Sequence, residues 1–147
     1  MNTRDRFPPL SSHVSLKERM RRGELFSADC PSRSVLKHIT SRWGVLLLVA
    51  LLAGTHRFSD LRRKVGGVSE KMLAQTLQDL EGDGLVIRKS HDVVPPHVDY
   101  TLSPLGLEAA QRVEALTDWI EMSLPLILEA WQEKSERTAK NANGNGK

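Results

Sequence analysis

Between Val35 and Ala53 the apolar residues Leu36, Ile39, Trp43, Leu46, Leu47, Ala50 and Leu51 recur at steps of three and four. Such steps lie along one face of an α-helix. The stretch therefore predicts one long core helix, or two joined near Gly44, with Gly54 as the stop. The run RFSDLRRKVGG predicts a short helix capped by Ser59. Leu61 and Val65 would face inward and Arg62, Arg63 and Lys64 outward, with Gly66 and Gly67 ending it. VSEKMLAQTLQDLEGDG then starts a new helix at once. Ser69 is its expected N-cap, and Val68 and Leu73 are placed for a hydrophobic staple. Leu73, Leu77 and Leu80 form the buried stripe, and Gly82 or Gly84 closes the helix.

Beyond Gly84 the period changes. LVIRKSH and HVDYTL are β-type runs joined by DVVPP, with Val98, Tyr100 and Leu102 alternating. They predict a two-stranded hairpin whose loop is stiffened by Pro95 and Pro96. Ser103 followed by Pro104 is an N-cap and first-turn pair that restarts helix. That last helix presents Leu105, Val113, Leu116, Trp119 and Ile120 along one side, and Leu126, Ile127 and Trp131 continue it. Pro125 is expected to kink or break it, because proline lacks the N–H and crowds the preceding turn. Upstream, SLKERMRRG carries a capping box, Ser15 with Glu18, and predicts a short basic helix that stops at Gly23. ERTAKNANGNGK holds no core-forming residue and predicts disorder. The chain thus divides into an arm (1–27), a folded domain (28–132) and a disordered tail (133–147).

Short helix, tight turn, second helix and β-hairpin, in that order, describe a winged helix-turn-helix: a mainly α fold with a small β-hairpin. In such a fold the second helix enters the DNA major groove and the wing reaches the backbone or minor groove. With its leucines buried, helix 69–82 turns Ser69, Lys71, Met72, Ala74, Gln75 and Gln78 outward. Small and amide side chains let a helix sit close to base edges, and Gln pairs with adenine. Arg57, Arg62, Arg63 and Lys64 before the turn, with Arg88, Lys89 and His91 on the wing, are the candidate phosphate contacts. Glu70 and Asp79 are the two acids on this side that need a reason to be there. Glu70, in the first turn, can serve the helix dipole.

Composition narrows the field without choosing a function. Hydrophobic residues are 39% and charged residues 27%, as in a globular domain, and the net charge of +3 permits a nucleic-acid partner without demanding one. The longest apolar stretch, Val45 to Ala53, falls short of the ~20 residues of a membrane span. No signal-peptide core opens the chain, so a cytoplasmic location without membrane contact is the expectation. No Walker loop, dinucleotide glycine fingerprint, HExxH pair or nucleophile elbow is present, so no enzyme activity is expected. His91 and His97 can meet across the hairpin with Asp92 or Asp99, but solvated wing-tip residues are the commoner outcome, and neither metal nor cofactor is assigned. His38 reads as ordinary packing or surface. Trp43 and Trp119 read as core and interface anchors rather than pocket walls.

The chain also resembles the HxlR-type transcriptional regulators, winged-helix relatives of the MarR-like proteins. The matching stretches are CP at 30–31, RW at 42–43, the leucines and glycine around 46–54, and RFSDLRRKVGGVSEKMLAQTLQDLEGDGLVIRK at 57–89. VDYTLSPLG at 98–106 and Trp119 complete it. The resemblance covers about residues 30–128; ITSRWG and Pro125 depart from the family pattern. It implies a homodimeric, sequence-specific DNA-binding regulator, its outermost helices forming the dimer and two recognition helices meeting a palindromic operator. Leu116, Trp119, Ile120, Leu124 and Ile127 offer the apolar surface such a dimer needs. The two rivals are a winged-helix protein-interaction module and a ligand-responsive regulator in which Cys30 is only structural.

Cys30 is the only cysteine of the chain, so an internal disulfide is impossible. It stands near a helix start, whose dipole favours the thiolate, and Arg33 is close in sequence. Many HxlR-type regulators carry a cysteine at this CP position, and in some it senses oxidants, quinones or aldehydes. The resemblance therefore implies a small oxidant or electrophile as effector, acting through Cys30 by an intersubunit disulfide, a mixed disulfide or alkylation.

Overall fold

The computed structural model describes residues 25–145. Its elements are α1 (Pro31–Thr40), α2 (Arg42–Leu51), β1 (His56–Arg57), α3 (Phe58–Lys64), α4 (Glu70–Gly82), β2 (Val86–His91), β3 (His97–Leu102) and α5 (Pro104–Gly144). The short basic helix expected in SLKERMRRG lies outside the described residues.

The expected long core helix is two helices, and the break falls at Ser41 rather than at Gly44. Ser41 takes extended backbone angles and ends α1 while it caps α2. Its hydroxyl donates to the His38 carbonyl at 3.0 Å and accepts from the Gly44 N–H at 3.0 Å. Gly44 is needed for a different reason: a Cβ there would overlap the His38 carbonyl oxygen. The axes of α1 and α2 meet at 72°. That bend swings α1 off the core, so it buries none of its residues, and Leu36 and Val35 stay exposed. Leu46 is exposed too, whereas Leu47, Leu48, Ala50 and Leu51 of α2 are buried. No single described helix is long and apolar enough to cross a membrane; only the bent α1–α2 pair reaches that composition jointly.

Around α2 the core closes as the leucine stripes predict. Leu61 and Val65 from α3 and its turn, Val68, and Leu73, Leu77 and Leu80 from α4 pack with Leu85, Val86 and Tyr100 of the sheet and Ala110 and Val113 of α5. Helix α3 starts two residues earlier than expected, with Arg57 as its cap in place of Ser59. The Asp60 carboxylate accepts from the Arg57 N–H at 3.1 Å and so satisfies a donor at the helix start without help from Ser59. Ser69 does cap α4, accepting from the Met72 N–H at 3.1 Å. Of the two candidate stops, Gly84 closes α4. Its φ is +75°, its N–H bonds to the Glu81 carbonyl, and the Leu85 N–H reaches the Leu80 carbonyl, the two bonds of a Schellman motif.

The hairpin forms as expected, with His91 opposite His97 and Val86 opposite Leu102. A third strand joins it: β1 pairs antiparallel with β3, His56 opposite Tyr100, giving the order β1-β3-β2. Two residues are too few to show a period, which is why β1 has no signature in the sequence. Ser103 then caps α5, accepting from the Gly106 N–H at 2.9 Å and donating to the Gly84 carbonyl at 2.6 Å. One hydroxyl thereby locks the end of α4 to the start of α5. Gly106 passes so close to the Leu85 backbone that a Cβ would overlap its carbonyl.

Helix α5 departs from expectation at two places. Its 41 residues run through Pro125, so of the two outcomes expected there, a kink or a break, the break does not occur. The ring removes one donor, which costs about 3 kcal/mol in a helix interior. Here the residue four positions back, Glu121, is exposed, so water can take over its carbonyl. Residues 133–144, expected to be disordered, are helical as well. Lacking core residues excludes a core, not a helix. Glu133, Lys134, Glu136, Arg137, Ala139, Lys140 and Ala142 all have high helix propensity and extend an already nucleated helix one bond per residue. The first three turns of α5 are anchored on the core; beyond Val113 no described residue of the chain is buried.

Candidate nucleic-acid interface

Helices α3 and α4 with the tight turn between them form the helix-turn-helix, and the β2–β3 hairpin stands beside it as a wing. The buried leucines of α4 fix which way its other face looks. Ser69, Lys71, Met72, Ala74, Gln75 and Gln78 are all exposed, as expected. Arg57, Arg62, Arg63 and Lys64 are exposed on the element before the turn, and Arg88 and Lys89 on the wing. The structure thus sets cationic donors on both sides of an uncovered helix.

Both acids on this surface have partners. Arg62 bonds to the Glu70 carboxylate at 2.6 Å, tying α3 to the first turn of α4. Asp79 accepts from the Gln75 amide at 3.0 Å, one helical turn away. Arg63 bonds to Asp60 at 2.6 Å within α3. Asp60 is held below the ordinary carboxylate range, first by the Arg57 backbone N–H and then by the Arg63 guanidinium. Its folded value lies under its unfolded one, so whatever stability it adds is present above the unfolded value and lost as pH falls through the folded one. These are exposed pairs, weak in water and easily exchanged for phosphates. Among the described residues Lys71, Gln78, Arg88 and Lys89 have no side-chain bond to give up.

His91 differs from the other candidates. Its Nε2 bonds to the Asp99 carboxylate at 2.7 Å, and its ring stacks on His97 with centroids 4.6 Å apart. It is half-buried and turned into its own hairpin rather than held out to a phosphate. Two further links have no signature in the sequence. His38 Nδ1 bonds to the Asp83 carboxylate at 2.7 Å, joining α1 to the end of α4 across 45 positions. Lys64 Nζ lies 3.4 Å from His56 Nε2 on β1. Neither pair leaves a local pattern, since each depends on the packing of separate elements.

Cys30 is half-buried and is itself the N-cap residue of α1, followed by Pro31 in the first turn. Its carbonyl accepts from the Arg33 N–H at 2.9 Å. The Arg33 guanidinium points elsewhere, to the Phe26 carbonyl at 3.4 Å. Cys30 thus stands at the helix start, as the sequence leads one to expect.

On α5, Leu116 is 50% exposed, Trp119 60% and Ile120 40%. Leu124 and Ile127 are half-buried, and Trp131 lies exposed further along the same face. Together they make an apolar stripe at helical spacing, beyond the last residue that α5 buries in the core.

The profile of the HxlR-like helix-turn-helix family matches residues 38–127. The HTH-type transcriptional regulator YtfH of Escherichia coli (strain K12), itself uncharacterized, is 61% identical over 84% of this chain and 98% of its own length. The solved structure of YtfH from Salmonella typhimurium is 65% identical, with a TM-score of 0.72 over 75% of this chain and 98% of that one. The redox regulator HypR in its reduced form is 29% identical, with a TM-score of 0.62 over 67% of this chain and 98% of that one. Together with the helix-turn-helix and its wing, these likenesses establish that the chain is a member of the HxlR-like helix-turn-helix family of transcriptional regulators.

Proposed function

We propose that the protein is a sequence-specific regulator that binds a palindromic operator as a homodimer and responds to oxidants or electrophiles through Cys30. The observation that carries the DNA reading is the uncovered face of α4, with Lys71, Gln75 and Gln78 on it and basic residues on both flanks. Gln and Lys read base edges, while Arg57, Arg62, Arg63, Lys64, Arg88 and Lys89 supply sequence-independent attraction to phosphates. His91 contributes from within the wing rather than as a direct phosphate contact.

The dimer reading rests on α5. Leu116, Trp119, Ile120, Leu124 and Ile127 form a stripe on a helix that outruns its own core, and a second copy of the stripe is the simplest cover for it. Two α4 helices held by that pairing would meet successive major grooves ~34 Å apart. Cys30 caps the start of α1, whose apolar Val35 and Leu36 face solvent and whose His38 grips the end of α4. A change at the thiol that shifts α1 would therefore act on the position of the recognition helix. HypR, a redox regulator, shares the fold.

Electrophoretic shift on the gene's own promoter DNA, with and without diamide, tests both parts. Wild type is expected to give a dimer complex whose affinity changes on oxidation, and Cys30→Ser a complex that does not respond. Equal responses would leave the thiol merely structural. No shift at all would favour a protein-docking module.

A further inference from the structure

The geometry points to a divalent metal site on the wing, built from His91, His97 and Asp99 and suited to zinc. His91 and His97 are directly opposed in the β2–β3 ladder, and Asp99 lies two residues along β3 from His97. Side chains at such positions share one face of a sheet. Their ligand atoms all lie within 4.8 Å of one another, and all three residues are half-buried. Asp92, the alternative acid beside His91, is exposed and not part of the group.

Two imidazoles and one carboxylate form a borderline nitrogen–oxygen set, which favours zinc and its late transition-metal neighbours over magnesium or calcium. Zinc bonds of ~2.0–2.1 Å in a tetrahedron place ligand atoms roughly 3.3 Å apart. Closing from the observed spacing requires only side-chain rotation, because the ladder already fixes the backbones. The ion would replace the His91–Asp99 hydrogen bond with two coordinate bonds and leave one position open to water. Three protein ligands with an open fourth position is a familiar zinc arrangement. The site clamps the two strands near the DVVPP loop and adds positive charge to the wing that carries Arg88 and Lys89. That consequence for DNA rests on the proposed function; metal binding itself does not.

The test is calorimetric titration of zinc chloride into the chelator-stripped full-length protein, without DNA. Wild type is expected to bind one ion per chain and to melt at a higher temperature with zinc than without. His97→Gln and His91→Gln are expected to bind at least roughly tenfold more weakly and to lose the melting shift, with Asp99→Asn weakened in the same direction. Cys30→Ser should match wild type, which excludes the thiol as the ligand. Circular dichroism confirms that each variant is folded. Absence of saturable binding in wild type overturns the proposal, as does binding that survives both histidine changes or disappears in Cys30→Ser.

Discussion

Replacing Lys71 and Gln75 together by alanine is expected to weaken operator binding by roughly a hundredfold or more while leaving the oligomeric state and melting temperature nearly unchanged. Each well-placed contact to a base is worth about 1–3 kcal/mol of discrimination, and the double change removes two. Both side chains are exposed and neither belongs to the core, so the helix keeps its seat on Leu73, Leu77 and Leu80. Gln75 gives up only its exposed bond to Asp79. Removing that partner leaves a bare carboxylate near the DNA, which adds to the loss. The measurement is affinity by electrophoretic shift beside sedimentation of the same sample. Retained specific affinity would mean that α4 is not the reading helix. Loss of affinity together with loss of the dimer would mean that the change acted through the fold.

Gly106→Ala is expected to destabilise the fold by about 3 kcal/mol, the upper end for an added methyl, because what the methyl meets is backbone rather than a movable side chain. In a chain of this size that corresponds to a fall of roughly 6–12 °C in melting temperature. The overlap is with the Leu85 carbonyl, which accepts from the Ser103 N–H at 3.0 Å. The strain therefore falls on the junction where the end of α4, the start of β2 and the start of α5 are pinned together. Gly82→Ala is the matching control. That glycine lies inside α4, and nothing stands within 4 Å of a Cβ added there. Alanine at that position should be neutral or stabilising by up to about 1 kcal/mol. Urea unfolding separates the two. A neutral Gly106→Ala would show that the junction yields more readily than its hydrogen bonds imply.

How much of this is legible in the sequence follows from which residues speak locally. The leucine stripe of α4, the Ser69 cap, the hairpin with Tyr100 facing in, and the Ser103–Pro104 start of α5 are short-range patterns, and each takes the form it predicts. The break at Ser41 is hidden, because the apolar steps continue on both sides of it while one hydroxyl both ends and starts a helix. Strand β1 is too short to carry a period. The tail misleads because composition without core residues suggests disorder, although Glu, Lys, Arg and Ala extend a helix well. Within the site, exposure of Lys71, Gln75 and Gln78 follows directly from burial of the leucines. The partners of Glu70 and His91 do not, since Arg62 comes from another helix and Asp99 from another strand. Glu70 in particular has a structural partner beyond the helix dipole. His38 reads as ordinary packing or surface, and only the fold shows that it joins the cysteine-bearing helix to the end of the recognition helix.

The central claim is that two copies of α4 read one DNA site. Selection of the full-length protein on a pool of random duplexes tests it most directly, because the pool presumes no operator sequence. The expected outcome is enrichment of an inverted repeat whose half-site centres lie one helical turn apart, ~34 Å, bound by two chains. Recovery of unenriched sequence, or of a single half-site bound by one chain, would contradict it.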